Sequence, residues 1–245
     1  FPERFANGDL KNDPVAGKVF INSKKIPGGW KVTEWTSSWF EISEWEKNLG
    51  GDVRNHLYER RYGGDIQGII NRLDYIKELG VGAIYLNPVF EAVSLHKYDG
   101  SSYHHIDVNF GPDPDGDRKL MASEIPDNAG TWKWTEADKL FLKLIDEVHK
   151  RGMKIIIDGV FNHTGVQFWA FQDIVKNQSE SKYKDWFIVH SFDDPTTIEN
   201  EFDYKGWWNT KSLPEFNRTK EDLADGPKNY VFHSTQKWMD PNSDG

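Results

Sequence analysis

Two short segments of this sequence carry side chains that could bind or transform a polar substrate. Asp158, Asn162 and His163 lie within six residues directly after an apolar run, and His96 and Tyr98 lie two residues apart. Carboxylate, imidazole and phenol groups are common proton donors and acceptors in enzyme sites. Because both segments follow apolar runs, we expect them at the ends of buried strands, where α/β barrels assemble their active sites.

The apolar run before Asp158 predicts a strand. Residues 155–157 are three consecutive isoleucines, which cannot alternate between core and solvent, so they predict a strand buried on both faces of a parallel sheet. A second apolar run, residues 81–86, ends at Asn87 and precedes His96 and Tyr98. Since the carboxyl ends of parallel strands meet at one edge, the two polar clusters should share that edge.

Helical patterns surround these two strands. Apolar residues recur at three- and four-residue steps from 65 to 79, with Gly80 as a stop, and a second helix should begin at the cap Thr135 and end at Gly152. The order helix, strand, long loop, helix, strand is typical of the β/α repeat of a parallel barrel or a doubly wound sheet. Two long loops, residues 87–134 and most of the chain after Asp158, are expected to be functional; the second predicts an irregular subdomain with a helix near residues 230–238.

Composition excludes several classes of function. The 245 residues carry a formal charge of −9, which repels nucleic acid, and no apolar stretch approaches the ~20 residues that span a bilayer. The absence of cysteine removes disulfides, thiolate catalysis and Cys-ligated zinc. The chain has 11 Trp, 15 Phe and 9 Tyr, most of which should pack in the core while some contact sugars. Oligomeric state and localisation stay open, with a periplasmic or secreted protein favoured over a cytoplasmic one.

Four segments together resemble conserved regions of the α-amylase superfamily, glycoside hydrolase family 13, and especially its cyclomaltodextrinase and neopullulanase branch. Residues 158–163 are similar to the family's first conserved region and residues 96–99 to its His-x-Tyr loop. Residues 1–9 resemble the stretch after the first barrel strand, and residues 213–217 a short region of the inserted domain, with Glu215 where the family usually has aspartate. The resemblance covers almost the whole chain in the family's order.

The resemblance implies a fold and a domain organisation. The fold class would be α/β, the N-terminal part of a (β/α)8 TIM barrel with an irregular insertion, similar to domain B, after the third strand. Residues 1–161 would belong to the barrel, residues 162–228 to the insertion, and residues 229–245 to a return helix that leads to a fourth strand. We therefore expect this chain to be a segment of a longer polypeptide.

The resemblance also implies a function, a retaining glycoside hydrolase that acts on α-1,4-glucans such as starch, maltooligosaccharides, cyclodextrins or pullulan. His163 would bind the sugar next to the cleaved bond, and Tyr98 would stack under that sugar. His96 would help to position the loop of Tyr98, and Asp158 would be structural and close to the substrate. No catalytic residue is assigned, because the family's nucleophile, general acid and third aspartate lie on the fourth strand and beyond, past Gly245.

The N-terminal segment crowds oxygen-bearing side chains together, four of them within seven residues. Calcium takes six to eight oxygen ligands. In calcium-binding proteins that this chain resembles, the matching positions form a structural site, whereas the residues alone are also compatible with ordinary turn chemistry. The implied calcium ligands are Asn7, Asp9, Asn12, Asp13, the Gly63 carbonyl and Asp65.

Other functions stay open at this point. A transglycosylase would share the covalent intermediate, and a non-catalytic glucan-binding protein would need only tryptophan-rich loops. A metal-dependent phosphoesterase built on Asp158, His163 and His96 is the most distant alternative, because the sequence shows no second cluster of carboxylates. The loop carboxylates Glu3, Glu91 and Glu215 are expected on the solvated surface.

Overall fold

The computed structural model describes residues 1–16 and 28–239. The helices are α1 (Glu44–Lys47), α2 (Ile66–Asn71), α3 (Leu73–Glu78), α4 (Pro114–Met121), α5 (Glu136–Lys150), α6 (Trp169–Asn177) and α7 (Asp225–Met239). The strands are β1 (Ala83–Leu86), β2 (Lys154–Ile157), β3 (Val189–Ser191) and β4 (Asp203–Tyr204). Within these ranges, none of the helices combines the length and the apolar character that crossing a membrane requires.

β1 and β2 form the parallel pair that the sequence predicts. Their residues pair in a continuous register, from Ala83 opposite Lys154 to Leu86 opposite Ile157. Helix α5 separates them along the chain and packs against both β2 and α2. The carboxyl ends of the two strands therefore lie side by side, which brings the loops after residues 86 and 157 to one edge of the sheet.

Helix α5 begins and ends at the signals in its sequence. The Thr135 hydroxyl accepts a hydrogen bond from the Asp138 backbone N–H, and the Asp138 carboxylate accepts one from the Thr135 N–H at 3.1 Å. This reciprocal capping box satisfies donors that the first turn would otherwise leave unpaired. At the other end, Gly152 adopts a φ of +70°, which favours glycine and stops the helix. The fully buried side chains of this helix include Phe141, Leu144 and Val148.

One face of the parallel pair is exposed, which corrects the prediction that residues 155–157 are buried on both faces. Tyr85 and Ile156 lie opposite each other in the register and are 56% and 47% exposed. Ile155 and Ile157 point to the other face and pack against the core. Successive strand residues point to opposite faces, so the core covers the side chains of Ile155 and Ile157 and leaves those of Tyr85 and Ile156 exposed.

The predicted helix 65–79 is divided into α2 and α3 at Arg72. This residue has φ −113° and ψ 8°, outside helical geometry, and its N–H donates to the carbonyl of Ile69 at 3.0 Å. Its guanidinium lies 5.1 Å from the ring centroid of Trp35, so a contact distant in sequence accompanies the break. The predicted stop at Gly80 is present, with a φ of +79°.

After β2 the chain takes an irregular course before it returns in a helix. β3 and β4 form a short antiparallel pair, and α7 extends the helix predicted near residues 230–238. The indole N–H of Trp238 donates to the Tyr103 carbonyl at 2.9 Å, and the Tyr103 N–H donates to the Tyr230 hydroxyl at 2.9 Å. Helix α7 is thereby fastened to the loop after β1. The domain boundaries at residues 161 and 228 stay a prediction, and residues 240–245 lie outside the described part.

Candidate functional site at the strand ends

Tyr98 joins the loops that come after the two parallel strands. Its hydroxyl donates to Oδ2 of Asp158, directly after β2, at 2.8 Å. The same hydroxyl accepts from the side-chain amide of Asn87, directly after β1, at 3.2 Å. Burial and the neighbouring Asp158 carboxylate raise the pKa of Tyr98, so the phenol keeps its proton. These bonds hold the aromatic ring in one orientation at the edge of the sheet.

His163 is held against the same loop. It is 5% exposed, and its Nε2–H donates to the backbone carbonyl of Tyr98 at 3.0 Å. Its Nδ1 accepts from the side-chain amide of Asn162. These partners assign the proton to Nε2, and burial lowers the pKa of His163, so the ring is neutral. A substrate hydroxyl at either nitrogen would have to replace one of these protein partners.

His96 supports the turn that presents Tyr98. Its Nδ1 accepts the Tyr98 backbone N–H at 3.1 Å, which leaves the proton on Nε2, and burial lowers its pKa. Between the two residues, Lys97 adopts a φ of +62°, unusual for a residue with a side chain. The Lys97 ammonium stabilises this turn by donating to Asp107 at 2.5 Å and to the Ala92 carbonyl at 2.8 Å.

The structure brings His96, Tyr98, Asp158 and His163 together, although about sixty residues separate the two pairs in the chain. It also places beside them a residue that the sequence motifs did not indicate. The rings of His163 and Trp207 are stacked, with centroids 5.8 Å apart and planes at 26°. The Trp207–Trp208 dipeptide in a tryptophan-rich loop was the available signal.

A polar groove adjoins His163. It has a volume of about 430 Å³ and is lined by Phe161, Asn162 and Arg218 together with residues 219–223. Beside this groove, the backbone of residues 162–164 runs antiparallel to residues 214–216. The amide, guanidinium and carboxylate groups that line this groove, next to the neutral imidazole of His163, suit a ligand rich in hydroxyl groups.

The three loop carboxylates expected on the surface are at least partly buried. Glu91 is half-buried and accepts the Val108 backbone N–H at 2.9 Å, and Glu3 and Glu215 are buried. One oxygen of Glu3 accepts the backbone N–H groups of Tyr62 at 2.6 Å and Gly63 at 3.2 Å, and burial raises the pKa of Glu3 to about 7. Glu215 is also buried, and the Lys205 ammonium lies 3.3 Å from it. Fixed donors and a nearby cation replace the water that these groups give up, which is why burial is tolerated.

Asp65 organises the N-terminal segment that the resemblance assigns to calcium. Its carboxylate accepts the backbone N–H groups of Asp9 at 2.9 Å, Gly8 at 3.1 Å and Gly68 at 2.6 Å. It also accepts the side-chain amide of Asn12 at 3.1 Å. Asp65 therefore caps α2 and ties the N-terminal loop to it, in addition to any role as a metal ligand.

The other predicted ligands lie close to Asp65 and to one another. Asn7 donates to Asp13 at 2.6 Å, and the side-chain oxygens of Asn7 and Asn12 are buried without hydrogen-bond partners. Gly63 has a φ of +68°, and a Cβ there would come within 2.2 Å of the Asp13 carboxylate. Burial, with Asp65 and Asp9 nearby, raises the pKa of Asp13 to about 6. Unpartnered amide oxygens beside a carboxylate are the donors that a calcium ion prefers, so the residues fit this ion.

Comparison with known proteins assigns the family. The sequence matches the family description "Alpha amylase, catalytic domain" over residues 1–125 and 133–245. The chain belongs to the alpha-amylase family. Because the match is to the catalytic domain of this family, the parallel pair β1–β2 and its helices are a fragment of that domain's TIM barrel.

Individual alpha-amylase family proteins agree with this assignment. The chain is 35% identical to Neopullulanase 2 of Thermoactinomyces vulgaris over 246 residues, which cover 100% of the chain and 32% of that protein. It is 38% identical to a cyclomaltodextrinase of Thermoanaerobacter pseudethanolicus over 192 residues, or 78% of the chain and 24% of that protein.

Solved structures also match nearly the whole chain. The type III pullulan hydrolase from Thermococcus kodakarensis has a TM-score of 0.69 and 29% identity, covering 98% of the chain and 35% of that structure. A cyclic alpha-maltosyl-(1→6)-maltose hydrolase from Arthrobacter globiformis has a TM-score of 0.66 and 29% identity, covering 98% of the chain and 40% of that structure. The chain thus spans about a third of the length of the relatives that it matches.

Proposed function

We propose that this chain forms the substrate-binding, N-terminal part of the catalytic barrel of a retaining glycoside hydrolase that cleaves α-1,4-linked glucans. The proposal rests on the joint position of Tyr98, Asp158 and His163 at the strand ends, where barrel enzymes bind substrate. The names of the matched proteins, a neopullulanase, a cyclomaltodextrinase and a pullulan hydrolase, support an α-glucan partner. Starch, maltooligosaccharides, cyclodextrins and pullulan are the candidate substrates.

Each side chain at the strand ends has a proposed role in substrate binding. Tyr98 provides a flat ring that Asp158 and Asn87 hold in place, so that its face can stack against a sugar. His163 is neutral and can exchange one of its present partners for a sugar hydroxyl. His96 acts on the turn of Tyr98 and so positions that ring.

The proposed chemistry requires carboxyl groups that this cluster does not supply. In a retaining enzyme, one carboxylate attacks the anomeric carbon while a second carboxyl group, about 5 Å away, protonates the departing glycosidic oxygen. Water then hydrolyses the glycosyl-enzyme, with the second group acting as base. Asp158 is engaged by Tyr98, so we assign it to orientation. The nucleophile and the acid/base are proposed to come from another part of the polypeptide.

Kinetics of the protein that contains this chain test the proposal. We expect His163→Ala to lower kcat/KM on maltoheptaose at least about tenfold, because it removes a group that borders the reacting sugar. His149→Ala, an exposed histidine on α5, is the matched control and should leave the rate unchanged. Proton NMR should show the α-anomer as the first product.

Other results would exclude this function. A β-anomer as the first product would exclude retention, and unchanged kcat/KM in His163→Ala would exclude the site. Binding of maltoheptaose without any turnover would indicate a non-catalytic glucan-binding protein. Products longer than the substrate would indicate a transglycosylase.

We also propose a structural calcium ion in the N-terminal segment. The buried, unpartnered side-chain oxygens of Asn7 and Asn12 beside the Asp13 carboxylate support it. Asp9 and the Gly63 carbonyl would complete the oxygen set, and Asp65 would hold the loop or exchange one of its donors for the ion. When bound, calcium would cross-link the start of the chain to the turn before α2.

A further inference from the structure

Trp208 is a large apolar side chain that the fold leaves in solvent. It is 85% exposed, whereas Trp207 beside it is partly buried. Trp208 has φ 49° and ψ 36°, and the next residue, Asn209, has a φ of 61°. Two successive non-glycine residues in the left-handed region are unfavourable, so the surrounding structure must hold them there.

Backbone hydrogen bonds hold this turn from both sides. The Trp207 N–H donates to the Leu213 carbonyl at 2.8 Å, and the Thr210 N–H donates back to the Trp207 carbonyl at 2.9 Å. Gly206 is packed so closely that a Cβ there would lie 2.1 Å from the Thr210 carbonyl oxygen. The turn therefore presents Trp208 to solvent in a defined position, although apolar exposure of this size is unfavourable by itself.

The exposed ring continues a row of rings that begins in the candidate site. The centroids of His163 and Trp207 are 5.8 Å apart with planes at 26°, and those of Trp207 and Trp208 are 5.9 Å apart with planes at 30°. The Arg218 guanidinium, which lines the groove beside His163, lies 5.8 Å from the Trp207 ring centroid. The row runs from a buried histidine to an exposed indole.

We propose that Trp208, supported by Trp207, is an outer stacking platform for a glucosyl unit of an α-glucan whose neighbouring units occupy the His163 site. The inference rests on the proposed function and adds a specificity residue to it. Sugar rings carry apolar C–H faces that stack on indole, and their hydroxyl groups can reach the polar groove that Arg218 lines. Long or cyclic glucans reach Trp208, and short ones that fill only the inner site do not.

Variants at Trp208 distinguish the effect of losing the aromatic ring from the effect of disturbing the backbone turn. Trp208→Gly removes the ring and places glycine at a left-handed position that glycine adopts readily, so the fold should be retained. Trp208→Phe keeps an aromatic face. Phe40→Ala removes another exposed aromatic side chain from a segment distant in sequence and serves as the control.

The experiment measures how KM depends on the length of the glucan, with the protein that contains this polypeptide chain. For Trp208→Gly we expect KM on maltoheptaose to rise about five- to tenfold with kcat nearly unchanged, and KM on maltotriose to stay constant. Trp208→Phe should recover most of the loss, and Phe40→Ala should behave as the parent. Maltoheptaose should also change the tryptophan fluorescence of the parent more than that of Trp208→Gly.

The outcomes distinguish this inference from the proposed function. If the protein shows no hydrolysis but maltoheptaose binds through Trp208 by fluorescence, the function fails and the platform stands. If hydrolysis occurs and Trp208→Gly leaves KM unchanged at every chain length, the platform is overturned. Loss of self-association in Trp208→Gly, with unchanged glucan affinity, would assign the ring to a protein contact instead. No glucan binding at all would overturn both.

Discussion

The hydroxyl of Tyr98 donates to Oδ2 of Asp158 at 2.8 Å and thereby joins the loop after β1 to the end of β2. The two residues are sixty positions apart in the chain. A hydrogen bond to a carboxylate is worth more than one between neutral groups. This bond therefore sets the direction of the Tyr98 ring and engages the carboxylate that comes directly after β2.

The first prediction concerns this bond. Tyr98→Phe keeps the ring and removes the hydroxyl, so we expect kcat/KM on maltoheptaose to fall about three- to tenfold, less than in Tyr98→Ala, which also loses the stacking face. A double-mutant cycle with Asp158→Asn should show a coupling of about 1–2 kcal/mol. Tyr75→Phe, an exposed tyrosine on α3, is the control. Additive effects in the cycle would show that the bond does not contribute.

The second prediction concerns calcium. If the ion binds with a Kd near 10 µM, 1 mM calcium stabilises the protein by about 2.7 kcal/mol, so a chelator should lower Tm by roughly 5–10 °C. Asp13→Ala should have a lower Tm that no longer responds to calcium, because it removes a carboxylate beside the amide oxygens of Asn7 and Asn12. Asp146→Ala, exposed on α5, should respond as the parent does. The same Tm with and without chelator in the parent would exclude the site.

The third prediction concerns Asp65 and separates its structural role from metal binding. Asp65→Ala leaves the N–H groups of Gly8, Asp9 and Gly68 without their acceptor, so we expect a loss of about 3 kcal/mol or more in the free energy of unfolding. Urea unfolding in excess chelator measures this loss with the ion removed. A loss that appears only when calcium is present would assign Asp65 to the metal alone.

The fourth prediction concerns His104, a buried histidine in the loop after β1. It is stacked on Trp132 with centroids 4.1 Å apart, and its Nδ1 lies 2.8 Å from the Tyr230 hydroxyl. Burial lowers the pKa of His104 to about 3, whereas an unfolded histidine titrates near 6.5. Between these values the unfolded chain binds one more proton, so the stability associated with His104 is lost as the pH falls.

His104→Gln tests the predicted loss of stability at low pH. The free energy of unfolding of the parent should fall more steeply than that of the variant between about pH 6 and pH 4, by about 1.4 kcal/mol per pH unit. Urea unfolding at several pH values gives both slopes, and His233→Gln, an exposed histidine on α7, is the control. Parallel slopes in parent and variant would mean that His104 is protonated in the folded state, paired with Glu124, which lies 3.5 Å away.

Much of the fold was predictable because its signals are local. The cap at Thr135, the stops at Gly80 and Gly152 and the apolar period of α5 each act within a few residues, and the structure contains all of them. The short apolar runs likewise predicted β1 and β2 and their parallel order. The strand-end position of His96, Tyr98, Asp158 and His163 could be inferred from that order, because parallel strands end at one edge.

Tertiary structure decided the features that depend on contacts between distant residues. The break at Arg72 accompanies its contact with Trp35, and the exposure of Ile156 depends on which elements cover each face of the sheet. The four donors that satisfy Asp65 come from both sides of a long intervening segment.

At the candidate site, too, some features follow from local sequence and others from tertiary contacts. By itself the sequence determined the family motifs and the elements that carry them, since composition and periodicity set short-range structure. Only the folded chain places Trp207 against His163 and turns Trp208 toward solvent, because ring packing and left-handed backbone depend on the hydrogen bonds and neighbours of the turn around Gly206. Periodicity specifies which face of an element is apolar, and three-dimensional packing specifies what that face meets.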